Sequence, residues 1–255
     1  MTTLQLESKK KILLGAIHLP SFLTLEKRED IDAVEAYAVK NARIFEEGGF
    51  DGVFIQDQTE GPATAKSVAL LAAMTRYVTA HVNSIAIGSQ MECDDAASIL
   101  SVAQASGASF VRIKSYVGTM IKDRGLVHGQ CHTAYSYKKM HGVEALIFAD
   151  IFDRCSVPLG DMSLESAAKY AIQKGANALV ITGKDYEETL EMLSRVKKAF
   201  PKVRTICGGG VTKDNIAQVF SLADGAVVSS SLKSDDDPDL WSVSKIQDLV
   251  AHAAK

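Results

Sequence analysis

With 255 residues and 47% hydrophobic side chains, the chain has the material for one large domain with a sizeable core. Its 28 Lys and Arg face 31 Asp and Glu, for a formal net charge of -3, so no chain-wide basic field exists to attract nucleic acid or anionic lipid. No apolar stretch approaches the ~20 residues that span a bilayer, which limits any membrane association to a peripheral one. Four cysteines, Cys93, Cys131, Cys155 and Cys207, show neither metal-ligand spacing nor a disulfide framework and read as reduced thiols of a cytoplasmic protein.

In chain order, residues 1–10 read as a polar extension. Lys9-Lys10-Lys11 precede an apolar run of only six residues with no small-residue cleavage site after it, so Ile12 to His18 reads as a first strand and not as a secretion signal. Seven more apolar runs follow: Gly52 to Gln58, Ser84 to Met91, Phe110 to Val117, Glu144 to Ile151, Ala178 to Gly183, Val203 to Gly208 and Gly225 to Ser230. Between them lie amphipathic helical patterns. Ile31, Val34, Ala38 and Phe45 form a stripe ended by Gly48-Gly49, and Val68, Leu71, Val78 and Val82 form another. Asp185 to Glu188 is a capping box, while Ser163 and Thr212 are expected to cap the helices that follow them. Eight strand-then-helix units without a linker predict a single parallel (β/α)₈ barrel over residues 1–255.

In such a barrel, active sites gather at the carboxyl ends of the strands. Those ends carry His18, Asp57 with Gln58, Ser89 with Gln90 and Glu92, Arg112 with Lys114, Asp150, and Thr182-Gly183-Lys184. Period-two alternation groups Arg112, Lys114 and Tyr116 on one face of the fourth strand, opposite Val111 and Ile113. Two cations on one strand face require partner carboxylates or a ligand. The same alternation puts His18 in a row with Ala16, Asp57 with Ile55, and Asp150 with Phe148. If those rows face the lumen, the three polar groups converge on one pocket, with the long polar loop from Gly118 to Gln130 over it. A structural reading stands beside this one, in which they orient Arg112 and Lys114. Lys114 itself is either an amine able to attack a carbonyl or the partner of Asp57 or Asp150.

The sharpest motif lies at the last two strands. Gly208-Gly209-Gly210 followed by a helix start, with Ser229-Ser230-Ser231 one strand later and Gly183 one strand earlier, are the candidate phosphate-binding residues. Their bland alternative is a tight turn. No cofactor is expected. Asp57, Glu92, Asp150 and His18 are residue types that suit a divalent metal, but their spacing is not a metal signature.

The segments Gly15-Ala-Ile-His-Leu-Pro20, Phe110 to Gly129, Ile147-Phe-Ala-Asp150, Ala178-Leu-Val-Ile-Thr-Gly183, Gly208-Gly-Gly-Val-Thr212 and Ala223 to Lys233 together resemble the BtpA/SgcQ family. The resemblance covers nearly the whole chain and implies a TIM barrel. It implies one of two functions: a factor for photosystem I accumulation, or an enzyme of sugar-processing gene clusters. The chain departs from the family pattern at Gln56-Asp57-Gln58-Thr59-Glu60, at Lys114 where Asn is usual, and at Asp153-Arg154-Cys155 where Lys-His is usual, which points to a different ligand. The first expectation is therefore aldolase, isomerase or lyase chemistry on a small phosphorylated sugar or nucleotide-like metabolite. His18, Asp57 and Asp150 would move a proton and Arg112 and Lys114 would hold the oxyanion. The second is a non-catalytic assembly factor. A homo-oligomer is compatible with either.

Overall fold

The computed structural model describes residues 2–6, 8, 11–152 and 154–254. Eight parallel strands close a barrel: β1 (Ile12–Leu19), β2 (Gly52–Asp57), β3 (Ala86–Met91), β4 (Phe110–Ile113), β7 (Leu146–Phe152), β9 (Ala178–Ile181), β10 (Arg204–Cys207) and β11 (Gly225–Val228). Their order around the ring is β1-β11-β10-β9-β7-β4-β3-β2. Helices α1 (Arg28–Gly48), α2 (Ala65–His81), α3 (Ala96–Ser106), α4 (Cys131–His141), α5 (Leu164–Gln173), α6 (Tyr186–Ala199), α7 (Ile216–Leu222) and α8 (Val243–Ala253) cover the outside. The chain is a (β/α)₈ barrel, as the alternation of runs and stripes predicts.

Two separate cores follow from the period of two. Val53, Ile55, Val111, Ile113, Ile147, Leu179 and Ile181 face outward and pack against the helices. The lumen is filled instead by Leu14, Ala16, Phe54, Phe110, Phe148, Val180, Ile206 and Val227. Phe54, Phe110 and Phe148 meet edge to face or tilted, with ring centroids 4.8, 5.4 and 6.1 Å apart, and form a plate across the barrel. Gly88 makes room for that plate, because a Cβ there would lie 2.4 Å from the Phe110 ring. The N-terminal segment is not the polar extension it reads as. Leu4 and Leu6 are buried in the lumen core and close its amino end.

The fourth strand is shorter than its apolar run. It ends at Ile113, and Tyr116 turns outward into the helix-side core, its hydroxyl donating to the Lys174 carbonyl at 2.6 Å. That corrects the placing of Tyr116 on the face of Arg112. The polar loop after it is an ordered hairpin, β5 (Thr119–Lys122) and β6 (Gly125–His128), whose β5 also pairs with β8 (Val157–Pro158) in the loop after β7. Lys122 at 3.2 Å and Arg124 both clasp Asp94, in the loop after β3. Thr212 does not cap a helix. The helix begins at Ile216, and the Thr212 amide donates to Asn215 Oδ1 at 2.8 Å.

Candidate active site at the carboxyl mouth of the barrel

One step above the lumen core, the inward row of every strand or its continuation turns polar or glycine. Ala16 is followed by His18, Phe54 by Gln56, Gly88 by Gln90, Phe110 by Arg112, Phe148 by Asp150, Val180 by Thr182, Ile206 by Gly208 and Val227 by Ser229. His18, Gln56, Gln90 and Arg112 are successive register partners on β1, β2, β3 and β4. Above this layer opens a cleft of about 290 Å³. Apart from Asp150, which is held by Arg112, each of these eight residues lines it.

The buried Arg112 holds Asp150 through two parallel bonds of 2.8 Å, Nε to Oδ2 and Nη2 to Oδ1. This bidentate form fixes the guanidinium on the floor of the cleft. Lys114 does not pair with Asp57 or Asp150. Its Nζ lies 2.9 Å from Glu92 Oε2, and Glu92 Oε1 accepts from Gln56 Nε2 at 2.5 Å and Gln90 Nε2 at 3.2 Å. Glu92 therefore organises three of the polar side chains on that side of the mouth.

Asp57 does not join them. The row of Val53 and Ile55 faces the helices, so the Asp57 carboxylate lies behind the barrel wall, accepting from the Thr59 amide at 2.9 Å and the Thr59 hydroxyl at 2.6 Å. Burial pushes its pKa up against those bonds. The inward neighbour is Gln56. Among the described residues, no cluster of three or more His, Cys, Asp and Glu side chains is placed to hold a metal ion.

The two loops after β10 and β11 lie side by side on one wall of the cleft. Gly208 is forced to be glycine, since a Cβ would lie 2.0 Å from Thr182 Oγ1 and 2.8 Å from Val180 Cγ1. Gly210 sits at φ +73°, in the left-handed region. A short 3₁₀ helix, Ser230–Leu232, follows Ser229 and bonds Leu232 N to Ser229 O and Lys233 N to Ser230 O. No described residue accepts from the amides of Gly209, Gly210, Ser230 or Ser231, which leaves four donors at the cleft wall. The serine hydroxyls serve the fold instead: Ser229 Oγ donates to Ala16 O at 2.7 Å and Ser231 Oγ to Val211 O at 2.9 Å. Gly183 is not part of this wall, and its amide is spent on Thr189 Oγ1 at 2.9 Å. Lys233 stacks on Trp241, its Nζ 3.4 Å from the ring centroid. Thr182, Gln56 and Gln90, with Arg154 and Cys155 from the loop after β7, complete the lining without having been picked as site residues from sequence.

His18 opens into the cleft, yet the surrounding wall desolvates it and lowers its pKa, with Glu92 opposing and Lys233, Lys114 and Arg112 reinforcing the shift. The imidazole is then neutral near pH 7 and able to take a proton. A base whose folded pKa lies below its unfolded value of about 6.5 weakens the fold as pH drops through that window, because the unfolded chain binds more protons there. Proton NMR titration should therefore place His18 below about 6.5, and bound phosphate should raise it. A titration at or above the ordinary value without ligand would refute this picture of the cleft.

The comparisons with known proteins agree with this architecture. The crystal structure of tryptophan synthase from M. tuberculosis superposes with a TM-score of 0.61 at 14% identity, over 96% of this chain and 93% of that one, a likeness of fold alone. An uncharacterised protein of Archaeoglobus fulgidus is 31% identical over 230 residues, 88% of this chain and 92% of its own. The photosystem I biogenesis protein BtpA of Synechocystis is 29% identical over 232 residues, 87% of this chain and 80% of its own. The BtpA family profile matches residues 9–253, which takes in every barrel strand and the whole mouth, so the chain belongs to the BtpA family.

Proposed function

We propose that the mouth is the active site of an enzyme acting on a small phosphorylated metabolite. The observation that carries this reading is the set of four amides of Gly209, Gly210, Ser230 and Ser231, on residues that line one cleft and with no acceptor among the described residues. They suit a phosphate dianion. The cleft also contains His18, with its lowered pKa, and Arg112, held by two bonds to Asp150. His18 would remove a proton next to a carbonyl, and the Arg112 guanidinium would stabilise the oxyanion that forms. Asp150 is a positioning residue in this scheme. Such a step serves an isomerase, an aldolase or a lyase. A thermal-shift screen of phosphorylated sugars tests the reading, because a ligand at a hundred times its Kd stabilises by about 2.7 kcal/mol. A rise in melting temperature of several degrees is expected, and no shift with any phosphate compound would defeat it.

A second reading, an assembly factor, is favoured by a surface feature and by the name of the Synechocystis relative. Leu126, Ile121 and Val157 are register partners across β6, β5 and β8 and are 60, 42 and 63% exposed. A chain that ignores phosphates but loses a partner when these three are made polar would be the outcome this reading requires.

A further inference from the structure

We infer that the end of the mouth opposite the phosphate loops receives a neutral, hydroxyl-bearing carbon chain, so that the ligand is the monophosphate of a polyol or single sugar and not a phosphorylated acid or nucleotide. This rests on the phosphate reading above. Around the ring, β11 and β4 are four strands apart, as are β10 and β3, and four steps in a ring of eight is the far side. A ligand with its phosphate at the loops after β10 and β11 therefore presents its other end to Gln90 of β3 and to Lys114, just beyond β4.

The chemistry of that end is set by Glu92. Its Oε1 draws the amide nitrogens of both Gln56 and Gln90, and its Oε2 balances the Lys114 ammonium. Each glutamine nitrogen spends one hydrogen on Glu92, and the Gln90 amide oxygen remains to be matched. Gln90 lines the cleft, is fully buried, and its Oε1 has no hydrogen-bond partner among the described residues. Thr182, also buried and lining the cleft, has an unpartnered Oγ1 just beyond β9, between the two poles. Buried acceptors without donors are costly, so these atoms are matched by a ligand that donates.

Three ligand types can be ranked against this lining. A carboxylate beside Gln90 would face the Glu92 carboxylate and the Gln90 amide oxygen, with the Lys114 ammonium already balanced by Glu92. An apolar or aromatic group would leave Gln90 Oε1 unpaired. A chain bearing several hydroxyls can donate to Gln90 Oε1 with one and pair Thr182 Oγ1 with another. The volume of about 290 Å³ lies at the small end of ligand sites and suits one sugar with its phosphate better than a nucleotide.

Calorimetric titration of the full chain with inorganic phosphate, sorbitol phosphate, phosphogluconate and phenyl phosphate tests the inference. Sorbitol phosphate and phosphogluconate share a carbon chain and differ at the end remote from the phosphate, a hydroxymethyl against a carboxylate. Sorbitol phosphate should bind at least about tenfold more tightly than each of the other three. Gln90→Met, similar in shape but unable to accept in the same way, should cost sorbitol phosphate about tenfold and leave inorganic phosphate unchanged, which also reports an intact fold. Phosphogluconate or phenyl phosphate binding as tightly as sorbitol phosphate in the unaltered chain would overturn the inference without recourse to any variant. So would a Gln90→Met chain with undiminished sorbitol phosphate affinity. Failure of the unaltered chain to bind inorganic phosphate at all would overturn the phosphate reading and this inference with it.

Discussion

Asp150→Ala should lower the melting temperature by roughly 10 °C, since withdrawing one partner of a buried ion pair costs about 3–5 kcal/mol and each kcal/mol moves a chain of this size by about 2–4 °C. The carboxylate is fully buried and takes two bonds of 2.8 Å from Arg112, whose own side chain is 9% exposed. Removing it takes both of these bonds from the guanidinium on the floor of the cleft. Asp150→Asn, which keeps the shape and loses the charge, should fall between the two. Replacing Arg112 and Asp150 together by apolar residues of similar volume should recover most of the stability while abolishing turnover. Calorimetric melting of the four chains decides the matter: an Asp150→Ala chain within about 2 °C of the parent would show that the pair contributes little to stability.

Gly209→Asp should weaken inorganic phosphate binding about a hundredfold or more with hardly any loss of stability. A Cβ at Gly209 meets nothing within 4 Å and its φ lies outside the left-handed region, so the backbone accepts a side chain. The new carboxylate would stand among the four free amides, where like-charge contact with a phosphate costs several kcal/mol against about 1.4 kcal/mol per tenfold in affinity. Gly209→Asn, of equal size, separates crowding from charge. Unchanged phosphate affinity in Gly209→Asp would remove the phosphate site from this wall.

Much of the scaffold could be read from the chain because it rests on local patterns. Eight apolar runs, helical stripes such as Val34, Ala38 and Phe45, and caps such as Asp185 and Ser163 each follow from neighbours in sequence. What the alternation could not decide was which row faces in. The row of Val53, Ile55 and Asp57 looks like the buried one, and it is buried, but against helices, because the layer between barrel and helices is the larger apolar interface and draws the β-branched residues. The inward row on β2 is Phe54 and Gln56, and with that parity Gln56 would have replaced Asp57 in the candidate site. His18 and Asp150 do stand in inward rows, since Ala16 and Phe148, two residues before them, lie in the lumen. The partner of Lys114 was hidden for another reason: Glu92 lies beyond the end of β3, where period two no longer applies. Likewise, no sequence pattern announces that Gly183 spends its amide on Thr189.

The hairpin after β4 changes how the mouth would respond to a ligand. It is hydrogen-bonded to β8 in the loop after β7 and tied by Lys122 and Arg124 to Asp94 in the loop after β3. Three loops that in many barrels bend independently are here braced into one frame, with Arg154 and Cys155 carried along its inner edge. A displacement of any one of them must drag the other two.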